Sequence, residues 1–123
     1  MMSKYSSWIP AILYMMFIFY LSSHSAPEEA RWFPVIAELK VSHMIEYGVL
    51  FLLIRYGLIR TIAYDMPSIF ALALMITILY GLTDEFHQIF VATRTARLVD
   101  VVADGAGGIL AQAAIIVSGY YRR

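Results

Sequence analysis

Apolar and polar positions are sharply segregated along this chain. From Trp8 to Leu21 every residue is apolar, aromatic or proline, and uncharged stretches run from Met66 to Thr83 and from Gly105 to Tyr121. At about 1.5 Å per residue, the two uncharged stretches, and the stretch between Lys4 and Glu28 in which His24 is the one candidate charge, approach the roughly 30 Å thickness of bilayer hydrocarbon. A further segment, Val41 to Arg60, is apolar in its middle but carries His43, Glu46 and Arg55. The pattern predicts an all-α integral membrane protein, a single domain over residues 1–123 built as a four-transmembrane-helix bundle. The spans fall at approximately 7–24, 41–60, 66–88 and 98–119. Local punctuation agrees with those limits. Ser6 or Ser7 is a candidate cap for the first helix, and Pro10 sits in its first turn, where a missing N–H does little harm. Asp65 followed by Pro67 suits the start of the third helix, and Gly119 the end of the fourth.

Composition sharpens the class. Of 123 residues, 61% are apolar and 15% charged, against roughly 45–50% and about 25% in soluble domains. An ordinary water-soluble globule and a disordered chain are both excluded. Nine basic residues balance nine acidic ones, so the chain has no basic footprint for nucleic acid. The absence of cysteine removes disulfides, thiolate nucleophiles and cysteine-based metal sites. Lys4, the apolar run and Ser23-His24-Ser25 also have the form of a cleaved leader; the segment is read here as a retained span. Lys4, Arg55, Arg60, Arg122 and Arg123 fall on one side of the bundle, and Arg31, Lys40, Arg94 and Arg97 on the other. The excess puts both termini in the cytoplasm of a multi-pass cell-membrane protein, with Tyr5, Trp8 and Tyr64 in an inner aromatic belt.

Placed on this topology, the unusual polar residues gather at one membrane face. Ser22 and Ser23 end the first helix there, and His43 and Glu46 open the second. Asp84, Glu85, His87 and Gln88 close the third, Arg94 follows, and Asp100 and Asp104 begin the fourth. His43 and Glu46 share a helix face, as do Asp84 and His87, all at i,i+3. Ionisable groups in or beside lipid are costly and face the bundle interior, so a shared polar pocket is expected. His87, Asp84 and Glu85 are its candidate acid–base groups. Ser22, Ser23, His43, Glu46, Gln88, Arg94, Asp100 and Asp104 are candidate ligand-binding groups. His43, Glu46, Asp84 and His87 form a cysteine-free donor set of the kind that suits Zn²⁺, Mn²⁺ or Fe²⁺. The plainer readings are that Asp100 is an N-cap and that the acids belong to a structural ion-pair network. Asp84 and Glu85 lie near a helix C-terminus, where the dipole disfavours them, and so need compensation from Arg94, Arg97 or a metal. Gly105, Gly107, Gly108 and Ala111 suit close helix packing.

His43-Met44-Ile45-Glu46-Tyr47, Asp84-Glu85-Phe86-His87-Gln88-Ile89-Phe90-Val91, Arg94 and Asp100-x-x-x-Asp104-x-x-Gly107 together resemble the VanZ-like family. The resemblance runs from about Trp8 to Ala114. One departure is Ala92-Thr93-Arg94, where family members commonly carry Pro-Gly-Arg. The resemblance implies a small protein of the bacterial inner membrane, in a class associated with teicoplanin (glycopeptide) resistance. Three functions follow as expectations. The first is recognition of a lipid headgroup, lipid-linked compound or glycopeptide ligand in the polar pocket. The second is a metal-dependent membrane hydrolase acting on a lipid or envelope substrate. The third is a small transporter, which with four spans needs a homodimer to enclose a path.

Overall fold

A computed structural model describes residues 3–23, 41–90 and 98–119, with residues 22, 41–42 and 98–100 described by backbone alone. Among the described residues every regular element is helical. A short 3-10 helix, Lys4–Trp8, leads into α1 (Ile9–Ser22), followed by α2 (Val41–Thr61), α3 (Met66–Gln88) and α4 (Leu98–Val117). Among the described residues one helix, α3, is long and apolar enough to cross a membrane, and α4 contains a shorter apolar stretch, Val101–Val117. The α-helical part of α1 is only 14 residues, and α2 is interrupted by His43, Glu46 and Arg55, so neither meets that criterion by itself.

The entry into α1 differs from expectation for a local reason. Ser3 caps the 3-10 helix by accepting from the Tyr5 N–H at 3.2 Å. Ser6 and Ser7 then donate their hydroxyls back to the carbonyls of Ser3 and Lys4, at 2.5 and 2.6 Å. Neither serine caps α1; Trp8 occupies that position without a side-chain bond, and Pro10 follows in the first turn. Asp65 holds the N-cap position of α3 in extended backbone, but its Oδ1 accepts from Ser68 Oγ at 2.6 Å rather than from the backbone. Trp8, expected in an aromatic belt, donates Nε1–H to Thr61 Oγ1 at 3.2 Å. Gly119 has φ 74°, the left-handed conformation in which glycine stops a helix without steric cost.

Helix α2 is the central element and packs against every other one. Tyr47, Leu50, Phe51, Ile54 and Leu58 recur at helical spacing along it and are buried against Ala11 and Ile18 of α1 and Ile69 and Ala73 of α3. The buried stripe of α3 continues past that core as Thr77, Gly81, Asp84, Glu85 and Gln88. One continuous face is therefore apolar at its beginning and ionisable at its end. Contact between α2 and α4 is set by small residues: a side chain at Gly107 would run into the Met44 carbonyl, and one at Gly48 would lie 3.1 Å from the Gly107 carbonyl oxygen. Gly108 meets Phe51 and Leu74. These glycines thus serve packing within one chain, and a contact between two chains would need another face of α4.

Backbone cannot yield as a flexible side-chain end can. Gly107→Ala is therefore expected to cost about 1–3 kcal/mol. Gly105→Ala, whose new methyl would sit 3.4 Å from the end of Ile78, should be neutral or slightly stabilising through helix propensity. Thermal unfolding of the two purified variants checks this, and equal melting temperatures would contradict it.

Candidate functional site

Two donors one helical turn apart on α2 organise the ionisable end of the bundle. His43 Nδ1 lies 2.7 Å from Asp104 Oδ1 of α4. An ionised Asp104 carboxylate only accepts, and in that state Nδ1 carries the proton. Four residues on, the Tyr47 hydroxyl donates to Asp84 Oδ2 of α3 at 3.0 Å. The His43 and Tyr47 rings stack between these bonds, with centroids 5.5 Å apart and planes within 9°. One face of α2 thereby clamps an acid from each of two neighbouring helices, α3 and α4.

Burial makes these bonds matter. Asp104 is 0% exposed and Asp84 4%, while Glu85 and Gln88 are also buried. A charge removed from water is tolerated only with hydrogen-bonding partners, and a charge-assisted bond is about twice as strong as a neutral one. Space is provided as well as partners: the second oxygen of Asp104 lies where a side chain at Gly81 would otherwise be. Tyr80, one turn below Asp84, donates to the Met15 carbonyl and ties α1 to α3.

At the rim, Ser23 Oγ lies 3.0 Å from His87 Nε2 and 2.8 Å from the Phe19 carbonyl oxygen. Ser23 has one proton and the carbonyl can only accept, so when Ser23 donates there, Nε2 must be the donor to Ser23. That arrangement makes His87 a positioning group for Ser23, the reverse of a base activating a nucleophile. Phe19 stacks on His87 at 4.3 Å.

The structure thus distributes the candidate residues into three interhelical pairs: His43 with Asp104, Tyr47 with Asp84, and Ser23 with His87. Glu85 and Gln88 are buried on the same stripe as Asp84, and Glu46 lies on α2 between His43 and Tyr47. Arg94 and the side chains of Ser22 and Asp100 fall outside the described residues. Among the described residues no three His, Asp or Glu side chains come together as a metal-holding group; His43, Glu46, Asp84 and His87 are not gathered as one donor set. The compensation expected for Asp84 comes in part from a phenol. Tyr47 and Gly81 had no assigned role, although each left a signal: Tyr47 is i,i+4 to His43, and a glycine inside a helix costs about 1 kcal/mol unless packing requires it.

The family model for VanZ/LLP1 matches residues 7–118. The chain belongs to the VanZ/LLP1 family. Neither curated proteins nor solved structures gave a match. Every residue of the three pairs lies inside the VanZ/LLP1 region, so the site belongs to the family domain and not to a terminal extension.

Removing His43 leaves the Asp104 carboxylate buried without that donor. His43→Ala is expected to cost about 3 kcal/mol, and Tyr47→Phe about 1 kcal/mol. In a double-mutant cycle, His43→Ala and Asp104→Ala together should cost less than their sum by about 1 kcal/mol or more. Strict additivity in unfolding experiments would show that the pair does not interact.

Proposed function

We propose that this VanZ/LLP1 chain is a multi-pass protein of the bacterial cytoplasmic membrane, with both termini on the cytoplasmic side. On this reading its polar end binds a lipid headgroup or lipid-linked envelope molecule through amine, hydroxyl or peptide N–H groups. The observation that carries the proposal is an inside-out distribution of polarity. Leu13, Met16, Phe17, Leu79, Phe86 and Val117 are exposed, while Arg55, Thr77, Asp84, Glu85, Gln88 and Asp104 are buried. A water-soluble domain does the opposite, and an apolar exterior of this extent suits lipid. Ionisable groups held inside such a bundle mark ligand or ion sites.

The chemistry of the polar end favours a donor-rich ligand. Its described ionisable groups are four acids, Glu46, Asp84, Glu85 and Asp104, and two histidines, His43 and His87. Asp84 and Asp104 are held by donors on α2, which fixes two buried carboxylates beneath the polar end. Arg94, six residues beyond the end of α3, supplies a guanidinium for a phosphate or carboxylate on the same ligand. A zwitterionic headgroup satisfies both requirements, and so does a glycopeptide with amines and peptide N–H groups. The link to teicoplanin rests on family membership alone.

Native mass spectrometry of the protein in mild detergent tests this directly. The expected result is a stoichiometric adduct of phosphatidylethanolamine or another amine-bearing envelope lipid, reduced about tenfold by Asp84→Asn and by Arg94→Lys. An adduct unchanged in both variants, or none in wild type, would contradict the reading.

A further inference from the structure

A polar cavity lies at the opposite end of the bundle from Asp84 and Asp104, beside the 3-10 helix. It has a volume of about 210 Å³ and is lined by Ser3, Ser6, Ser7, Tyr56 and Arg60 over a floor of Ile9 and Pro10. Pockets for drug-sized molecules run from about 300 Å³ upward, so this one suits a small ion or a headgroup fragment. We propose that it is a phosphate site, formed by the Arg60 guanidinium with the Tyr56 and Ser3 hydroxyls.

The assignment follows from which protons are already committed. Ser6 and Ser7 donate to the carbonyls of Ser3 and Lys4, so they offer the cavity no proton. Ser3 Oγ accepts from the Tyr5 N–H and keeps its own hydrogen. Arg60 and Tyr56 are solvent-facing residues of α2, one turn apart, with no hydrogen bond or ion pair among the described residues. Among the described residues no acidic side chain lines the cavity. A guanidinium and two hydroxyl donors without a lining carboxylate match the three oxygens of a phosphate monoester or the two of a diester.

The cavity wall is built rather than incidental. Trp8 packs its ring over Gly57, where a side chain would come within 2.7 Å of Cδ2, and its Nε1–H donates to Thr61. This double attachment holds the serine-bearing turn against the last two turns of α2. On the membrane reading, the cavity lies at the end of α2 where anionic headgroups would meet it. The phosphate chemistry itself does not depend on the opposite end.

The test uses the full chain in non-ionic detergent, with two probes. Native mass spectrometry measures retention of phosphatidylglycerol against phosphatidylcholine, and isothermal titration calorimetry measures inorganic phosphate. Retention of phosphatidylglycerol in preference to phosphatidylcholine, lowered at least tenfold by Arg60→Gln and about threefold by Tyr56→Phe, supports the site with lipid as its source. Binding of inorganic phosphate with the same two sensitivities supports it with free phosphate or a soluble ester as its source. Binding of neither probe, or binding equal in wild type and both variants, overturns it. The variants lie at the other end of α2 from His43 and Tyr47, so failure here is distinguishable from failure of the polar-end reading.

Discussion

Two carboxylates buried inside an apolar-coated helical bundle set the terms for the rest of this structure. Asp84 and Asp104 have almost no contact with solvent, and at such positions a charge persists only where donors are already in place. Helix α2 supplies them as His43 and Tyr47, one turn apart, each reaching a different neighbour. The same helix is the packing hub, and its small residues let α4 approach closely enough for His43 to reach Asp104. Glycines at 48, 81 and 107 therefore belong to the same constraint as the hydrogen bonds. Two of them admit a backbone and the third admits a carboxylate.

The helical architecture was legible because its signals are long and strong. Uncharged stretches, proline near helix starts and glycine after the last helix all have a direct physical cause in the chain. The convergence of His43, Asp84, His87 and Asp104 at one end also followed from counting along helices joined in antiparallel order. Pairing was not legible, since it depends on crossing angles and depth that no spacing rule supplies. His43 was grouped with Glu46 by sequence distance, whereas its hydrogen bond goes to Asp104, 61 residues away. The 3-10 turn escaped notice because Ser6 and Ser7 serve equally well as α-helix caps and as donors to their own preceding carbonyls.

The two ends of the bundle have opposite chemical character. At one end α2, α3 and α4 bring together acids and histidines, with Asp84, Glu85 and Asp104 buried. At the other, Arg60 and Tyr56 face a small cavity with hydrogen-bond donors. On the two proposals above, these ends engage two different groups at the two boundaries of an apolar layer.

The claim on which this account stands is that α2 donates a proton-bearing Nδ1 to Asp104. Nitrogen-15 NMR of histidine-labelled protein reports it, with the three histidines of the chain assigned by single substitution. The account predicts a protonated, strongly hydrogen-bonded Nδ1 at His43 that shifts markedly in Asp104→Asn while His87 stays where it was. An unprotonated Nδ1, or a His43 signal unmoved by that substitution, would contradict it.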